Sequence, residues 1–355
     1  MGAIDTLNMI KDFSLAFGVS GFEDDVLEVA KKYMPEGYTS YRDSMLNFFM
    51  MRENDTNSTK PTVLLDAHSD EIGLIVQAVK KNGTITFNTL GGWVPASLYA
   101  QKMAIKNTDG QIITGVIAST MPHFGGGKDT APAIETMTLD IGASSGTEVI
   151  EDYKITCGCP VVPVADFEKR GDIMFSKAFD DRLGCAAVMD VLNKLKNVGL
   201  PINIVGTLSS QEEVGLRGAK VVANRVKPDL VICFEGAPAD DTLVAPDIIQ
   251  TRLGKGPMLR HMDTSMITNP RYLKFVLDIA KKYNIPVQEA VRTGGGTNAG
   301  AFYTSNLGIP SVVIACPVRY AHSHNSIASF SDYKNSVDLA VNILEGLNSD
   351  KINSF

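Results

Sequence analysis

The spacing of apolar positions changes character along the chain. IDTLNMIKDFSLAFG (residues 4–18) spaces its apolar residues as an amphipathic helix, and Gly18 supplies a stop. FEDDVLEVAKKYM predicts a second helix, with acids in its first turn and lysines in its last, as the helix dipole favours. TVLLDAH then reads as a buried strand ending in the polar cluster His68, Ser69 and Asp70. From about residue 72 to 165 short β-type runs recur (IGLIVQAV, TITFNTL, KMAIKN, IITGVIA), with an Asp109-Gly110 hairpin signal between two of them. No convincing helix interrupts these runs.

After about residue 170 helices and strands alternate. Helix RLGCAAVMDVLNKLKNVG leads to strand INIVGTLSS, and helix LRGAKVVANRV leads to strand DLVICFE. Asn269-Pro270 predicts the cap and first position of a helix through Asn284. Strand PSVVIACPV and an amphipathic helix after Ser331 complete the pattern. Such alternation implies an α/β fold with a mostly parallel sheet flanked by helices. The simplest organisation is an α/β domain from residues 1–71 and 166–355, with a β domain inserted at 72–165.

Composition narrows the function classes. A length of 355 residues suits two domains, and 44% hydrophobic with 21% charged residues is globular. A net charge of −7 offers no basic face, which argues against nucleic acid as a partner. No apolar run approaches the roughly 20 residues that span a bilayer, so no membrane is expected. The start MGAIDTLNMI lacks a signal-peptide layout and matches a myristoylation pattern only loosely. Five cysteines, an odd number, suggest reduced thiols, and the sequons at Asn54 and Asn57 are idle in a chain that is never secreted. A cytoplasmic protein is expected.

Ligands of an open α/β sheet bind beyond the carboxyl ends of its strands. His68 and Asp70 follow the first strand, and the turn KAFDDRLG brings Asp180 and Asp181. Gln211, Glu212 and Glu213 follow INIVGTLSS, Glu235 ends DLVICFE, and Arg319, His322 and His324 follow the last strand. Singly, each has a structural reading: an N-cap for the Asp pair, dipole complements for Glu212 and Glu213, a packing role for a lone histidine. Their coincidence at five strand ends favours a divalent metal pair, for which imidazole and carboxylate suit zinc, cobalt or manganese. A shared carboxylate holds such ions roughly 3.5–4 Å apart. Neighbouring Glu212 and Glu213 point different ways, so one can bind metal while the other contacts an attacking water. Asp70 is placed to accept the second imidazole N–H of His68.

The blocks Asp66–Gly73 (DAHSDEIG), Phe179–Cys185 (FDDRLGC), Gln211–Gly218 (QEEVGLRG), Gly294–Phe302 (GGGTNAGAF) and Arg319–Ser323 (RYAHS) resemble, in order and spacing, those of the tetrahedral aminopeptidase family. These are glutamyl and deblocking di-metal peptidases, some of them labelled endoglucanase, and the resemblance covers essentially the whole chain. It implies a zinc-peptidase-like α/β domain with an inserted small β-barrel domain serving oligomerisation and site access. It implies one divalent metal, zinc or cobalt with manganese as an alternative, on His68, Asp180 and Glu235. A second would sit on Asp180, Glu213 and His322, with Asp180 bridging. Glu212 would be the general base acting on a metal-bridged hydroxide, and Asp70 would orient His68. The implied partners are peptide substrates and further copies of the chain, as a hollow dodecamer.

Three departures stand out. Glu235 replaces a frequent Asp, Asn298 replaces the Asp of a GGGTDAG block, and HNS follows the last histidine motif, making His324 a second candidate beside His322. A metal-dependent N-deacylase would share these ligands. A glycoside hydrolase is less favoured, because one tryptophan, Trp93, offers little sugar-stacking surface. The remaining motifs read as structural. Gly125–Lys128 (GGGK) lacks phosphate-loop spacing, Cys157 and Cys159 form a lone CxC, and His123 decorates the β domain. Cys185 packs a helix on the sheet, Gly294–Gly296 lets backbone approach substrate or a strand, and Arg319 braces a site carboxylate.

Overall fold

The computed structural model describes residues 5–53, 59–120, 123 and 131–355. The Asn54 and Asn57 sequons and the GGGK run therefore lie outside the described residues, as does part of the N-terminal MGxxxT. In chain order come helices α1 (Thr6–Leu15) and α2 (Asp24–Lys32), then strands β1 (Tyr38–Arg42), β2 (Phe48–Arg52) and β3 (Thr62–His68). The next stretch holds β4 (Gly73–Val79), β5 (Ile85–Leu90), α3 (Pro95–Leu98), β6 (Lys102–Lys106), β7 (Ile112–Ala118), β8 (Thr138–Asp140), α4 (Gly146–Glu151) and β9 (Pro160–Pro163). After these come β10 (Glu168–Arg170), β11 (Ile173–Ser176), α5 (Phe179–Leu195), β12 (Asn203–Ser209), α6 (Arg217–Val226) and β13 (Leu230–Pro238). The last elements are β14 (Met258–Met262), α7 (Pro270–Lys282), β15 (Gln288–Val291), α8 (Asn298–Tyr303), β16 (Ser311–Arg319), β17 (Ser326–Ser329), α9 (Phe330–Glu345) and α10 (Ser349–Asn353).

Strands β12, β3, β13 and β16 run parallel at the centre of an 11-stranded sheet. Its outer strands pair antiparallel: β1 and β2 on one side, β17, β11 and β10 on the other, and β14 on β16. The sheet is thus mixed. Parallel neighbours require long crossovers, which α5, α6 and α8 provide near the centre, whereas short connections at the edges give hairpins.

Side chains alternate strictly across the central strands. Val63, Leu65 and Ala67 of β3 join Ile232, Phe234, Val312 and Ile314 in a core shared with α1, α2, α5, α7 and α9. Leu64, Val231, Cys233, Val313 and Ala315 face the other way, onto Val222 of α6 and Phe302 of α8. Two buried faces explain why these strands read as continuous apolar runs.

Strands β4-β5-β8-β7-β6-β9 close into an antiparallel barrel around Leu74, Val76, Ile105, Ile117, Leu139 and Val161. Asp109 and Gly110 fall between β6 and β7, with Gly110 at φ 78° and Asn107 accepting the Asp109 and Gln111 N–H groups. The sequence pattern shows no helix here, yet α3 and α4 are present. Pro95 begins the first and Ser145 caps the second, and neither is long enough to show a helical period. All five cysteines are free, and no described helix is long and apolar enough to cross a membrane.

Candidate metal centre

The parallel register sets the site. His68, last residue of β3, pairs with Ser209 at the end of β12, and Glu235 on β13 pairs with Ala315 of β16. Three neighbouring strands therefore bring His68, Ser209 and Glu235 to one level, at the ends of β3 and β12, while the β13–β16 ladder runs on to Pro238 and Val318. Asp180, at the start of α5, has strand-like angles (φ −87°, ψ 107°), and His322 sits at φ 58° beyond β16. Gln211, Leu216, Tyr320 and Ala178 also have positive φ. Non-glycine residues keep this conformation only where their surroundings enforce it.

Asp180 divides its carboxylate between two imidazoles. Its Oδ1 lies 3.2 Å from His68 Nε2, and its Oδ2 lies 3.4 Å from His322 Nε2. Glu235 Oε1 is 3.7 Å from His68 Nε2, and Glu213 Oε1 is 3.2 Å from His322 Nε2. Within each trio the ligand atoms lie within 4.8 Å of one another. Both rings are fixed from behind by a backbone carbonyl: Asp70 O is 3.1 Å from His68 Nδ1, and Gly92 O is 3.0 Å from His322 Nδ1. A carbonyl only accepts, so each Nδ1 carries a proton, and each Nε2 is the nitrogen turned to the carboxylates, free to bind a metal once its own proton is displaced.

Without a cation the cluster is neutralised only by protons. Asp180, Glu212, Glu213 and Glu235 crowd around two imidazoles, and Glu235 Oε2 is buried with no hydrogen-bond partner. Burial and the charge of Asp180 push Glu235 up to about 8. Burial and the charges of Glu235, Glu213 and Asp70 raise Glu212 well above the carboxylate range. Burial works against a charged His322, but Asp180 and Glu213 hold it up to about 11, and Asp180, Asp70 and Glu235 raise His68 in the same way. Burial would also raise Asp180, but both imidazoles hold it below the usual range. Buried carboxyls and imidazoles that take up protons to coexist, with Glu235 Oε2 unpaired, fit divalent cations held by nitrogen and oxygen donors.

The surrounding residues separate candidate ligands from braces. Asp181 accepts the His68 and Gly184 N–H groups rather than facing the trios, and Cys185 donates to His68 O. His324 is buried away from the site, with Nε2 3.1 Å from Met103 Sδ and its ring against Trp93. Trp93 also donates to Gly73 O, so its indole is engaged within the fold. Arg319 braces Asp241 through two contacts of 2.8 and 2.6 Å, not a site carboxylate as the sequence suggested. Asn298 donates to Asp66 at 2.9 Å, and Thr207 and Ser209 donate to the other Asp66 oxygen. The departure at 298 therefore acts on the β3–β12 junction beneath His68. His123 is exposed.

Other residues at the site carry no sequence signal. Gly92, from the loop after β5, orients His322, and neighbouring Gly91 (φ 81°) comes so close that an added Cβ would lie 2.5 Å from Ile72. Glu23 reads as one more acid at a helix start, yet it bonds the Gln211 N–H across the fold. Asp180, Glu212, Glu213, Glu235 and His322 line a cavity of about 700 Å³, and His68 is buried behind them. Arg260, Arg292, Thr264, Ser265 and Gly294–Gly296 form more of its wall.

The profile described as M42 glutamyl aminopeptidase matches residues 47–339. The glutamyl aminopeptidase of Lactococcus lactis subsp. cremoris is 31% identical over 354 residues, covering 98% of each chain. The crystal structure of a TET aminopeptidase from the marine sediment archaeon Thaumarchaeota archaeon SCGC AB-539-E09 superposes with a TM-score of 0.93 at 34% identity, covering 99% of both chains. The Pyrococcus horikoshii TET1 peptidase, described as assembling into a tetrahedron or a large octahedral shell, matches with a TM-score of 0.87 at 27% identity, covering 97% of this chain and 100% of that one. Family profile, relative and structures agree with the blocks around His68, Asp180, Glu212 and His322: the chain belongs to the M42 glutamyl aminopeptidase family.

Proposed function

We propose that this chain is a di-metal aminopeptidase removing N-terminal residues from peptides. The observation that carries the reading is the pair of trios sharing Asp180 beside Glu212 at the cavity. His68, Asp180 and Glu235 would hold one ion, and Asp180, Glu213 and His322 the other. Zinc or cobalt suits these donors, with manganese an alternative. When bound, the ions supply Lewis acidity that polarises a scissile carbonyl and makes a water more acidic.

Glu212 takes a proton from the water that attacks the peptide carbonyl carbon. As the C–N bond breaks, Glu212 returns that proton to the leaving nitrogen. Burial and the neighbouring carboxylates raise its proton affinity, which favours uptake of that proton. Asp70 keeps the His68 proton on Nδ1 and holds the Glu212 backbone.

The lining also suggests a side-chain preference. Arg260 and Arg292 line the cavity, whereas their partners Asp263 and Asp240 do not, and Arg260 Nε is buried without a partner. We read this wall as the complement of an acidic N-terminal side chain, in line with the glutamyl relative.

We assign the catalytic unit to residues 1–71 and 166–355, and assembly and site access to the inserted unit at 72–165. Self-association into a dodecamer follows the TET relatives, and free thiols fit a cytoplasmic setting. Hydrolysis of aminoacyl-p-nitroanilides by metal-free protein, then with zinc, cobalt or manganese, tests the reaction, beside N-acetylated and β-glucan substrates. Metal-restored cleavage of free-amine substrates alone is expected. Turnover of only acylated substrates would make the chain an N-deacylase, and chelator-resistant glucan cleavage a glycoside hydrolase.

A further inference from the structure

We propose that Glu23 is a positioning residue for the general base, holding the backbone from which Glu212 projects. The inference rests on the role proposed for Glu212. Glu23 begins α2 but makes no side-chain bond to that helix. Its Oε1 instead accepts the Gly21 N–H at 2.8 Å and the Gln211 N–H at 3.1 Å. The side chain is wholly buried, and Oε2 has no partner. A buried carboxylate is costly to place, and its own helix gains no cap from it. The structural gain lies at Gln211.

Gln211 is where the chain leaves β12 and turns, at φ 55°, into Glu212. The next two N–H groups, of Glu212 and Glu213, are accepted by Asp70 Oδ1 and Oδ2 at 2.9 and 3.2 Å. Three successive donors at the base are thus held by two buried carboxylates from distant parts of the chain. Ser20 donates to Asp70 Oδ2 at 2.6 Å, so the loop between α1 and α2 reaches both acceptors. Without Glu23, the Gln211 N–H has no acceptor and the turn is free to relax. Asp70 alone then fixes the base, from one side. Burial and the charge of Asp70 push Glu23 up to about 8, and a proton there would sit on the unpartnered Oε2. Either form accepts through Oε1, so the need is for an acceptor rather than a charge.

Glu23→Gln, Glu23→Asp and Glu23→Ala test this. Glutamine keeps the acceptor at the same reach, and aspartate keeps a carboxylate but falls short of Gln211. With wild-type metal content, Glu23→Asp and Glu23→Ala should lose on the order of 10–100-fold in kcat, as for a misplaced catalytic group, with KM little changed. Glu23→Gln should stay near wild type. Amide exchange over residues 209–216 should quicken in the aspartate and alanine variants only. A purely structural role would instead lower Tm in all three and leave the kcat of folded protein intact. If the alanine variant does not fold, the aspartate and glutamine pair still decides. Unchanged exchange and kcat in Glu23→Asp would overturn the proposal. A wild type without metal-restored aminopeptidase activity would instead sink the proposed function, and the exchange comparison would still report on the clamp.

Discussion

Asp70 Oδ1 accepts the Glu212 N–H at 2.9 Å and stands 3.4 Å from His68 Nδ1. One carboxylate therefore touches both a candidate ligand and the backbone of the candidate base. The sequence suggests only the first link, and even there the hydrogen bond runs to the Asp70 carbonyl. Asp70→Ala keeps that carbonyl and removes only the carboxylate beside His68 Nδ1, so metal affinity should fall by about 10-fold or less. It should lower kcat further even at saturating metal. Metal titration followed by kinetics at saturation separates the two effects, and full recovery of kcat by excess metal would deny Asp70 its hold on Glu212.

Glu212→Gln should retain bound metal and Tm yet lose about 10²–10⁴-fold in kcat. Metal analysis beside steady-state rates checks this. A wild-type rate would remove Glu212 from the mechanism.

Metal loading should release protons. His322 is held up to about 11, His68 is raised, and Glu235 is pushed up to about 8, so at neutral pH the metal-free groups carry protons that ligation must displace. Affinity should therefore rise with pH through the neutral range. Calorimetric titration with zinc in buffers of different ionisation enthalpy reads the released protons, and a buffer-independent heat would contradict the assignment.

Gly236 lies against Asp180. A Cβ there would stand 2.5 Å from Asp180 Cα, so Gly236→Ala must push Asp180, the proposed bridging residue, aside. Such overpacking costs about 1–3 kcal/mol. The expected result is a folded protein with reduced metal content, measured by emission spectrometry beside circular dichroism.

Asn298→Asp replaces a donor to Asp66 with a second carboxylate. Burial already raises Asp66 to about 6 against the bonds from Ser209, Thr207 and Asn298. A folded-state pKa above the unfolded value means that stability is lost as pH rises from the unfolded towards the folded value. Loss of the donor should move that window higher. The Tm deficit of the variant should be larger at pH 8 than at pH 5, and an equal deficit at both would count against this account.

The central strands and the helices between them were legible because burial on both faces leaves uninterrupted apolar runs, as in β3, β12, β13 and β16. Asn269-Pro270 and Asp109-Gly110 were legible because caps and turns act over a few residues: Asn269 accepts the Arg271 and Tyr272 N–H groups. The sequence by itself determined which chemical groups end the strands, and motif order favoured His322 while leaving His324 a candidate. Only the tertiary structure separated His322 from His324, since two residues at a strand end point apart according to backbone angles that no pattern encodes. The same holds for Arg319 with Asp241, Glu23 with Gln211, and Gly92 with His322. Each joins segments far apart in the chain. A hydrogen bond across such a distance depends on the packing of intervening layers and leaves no period in the sequence.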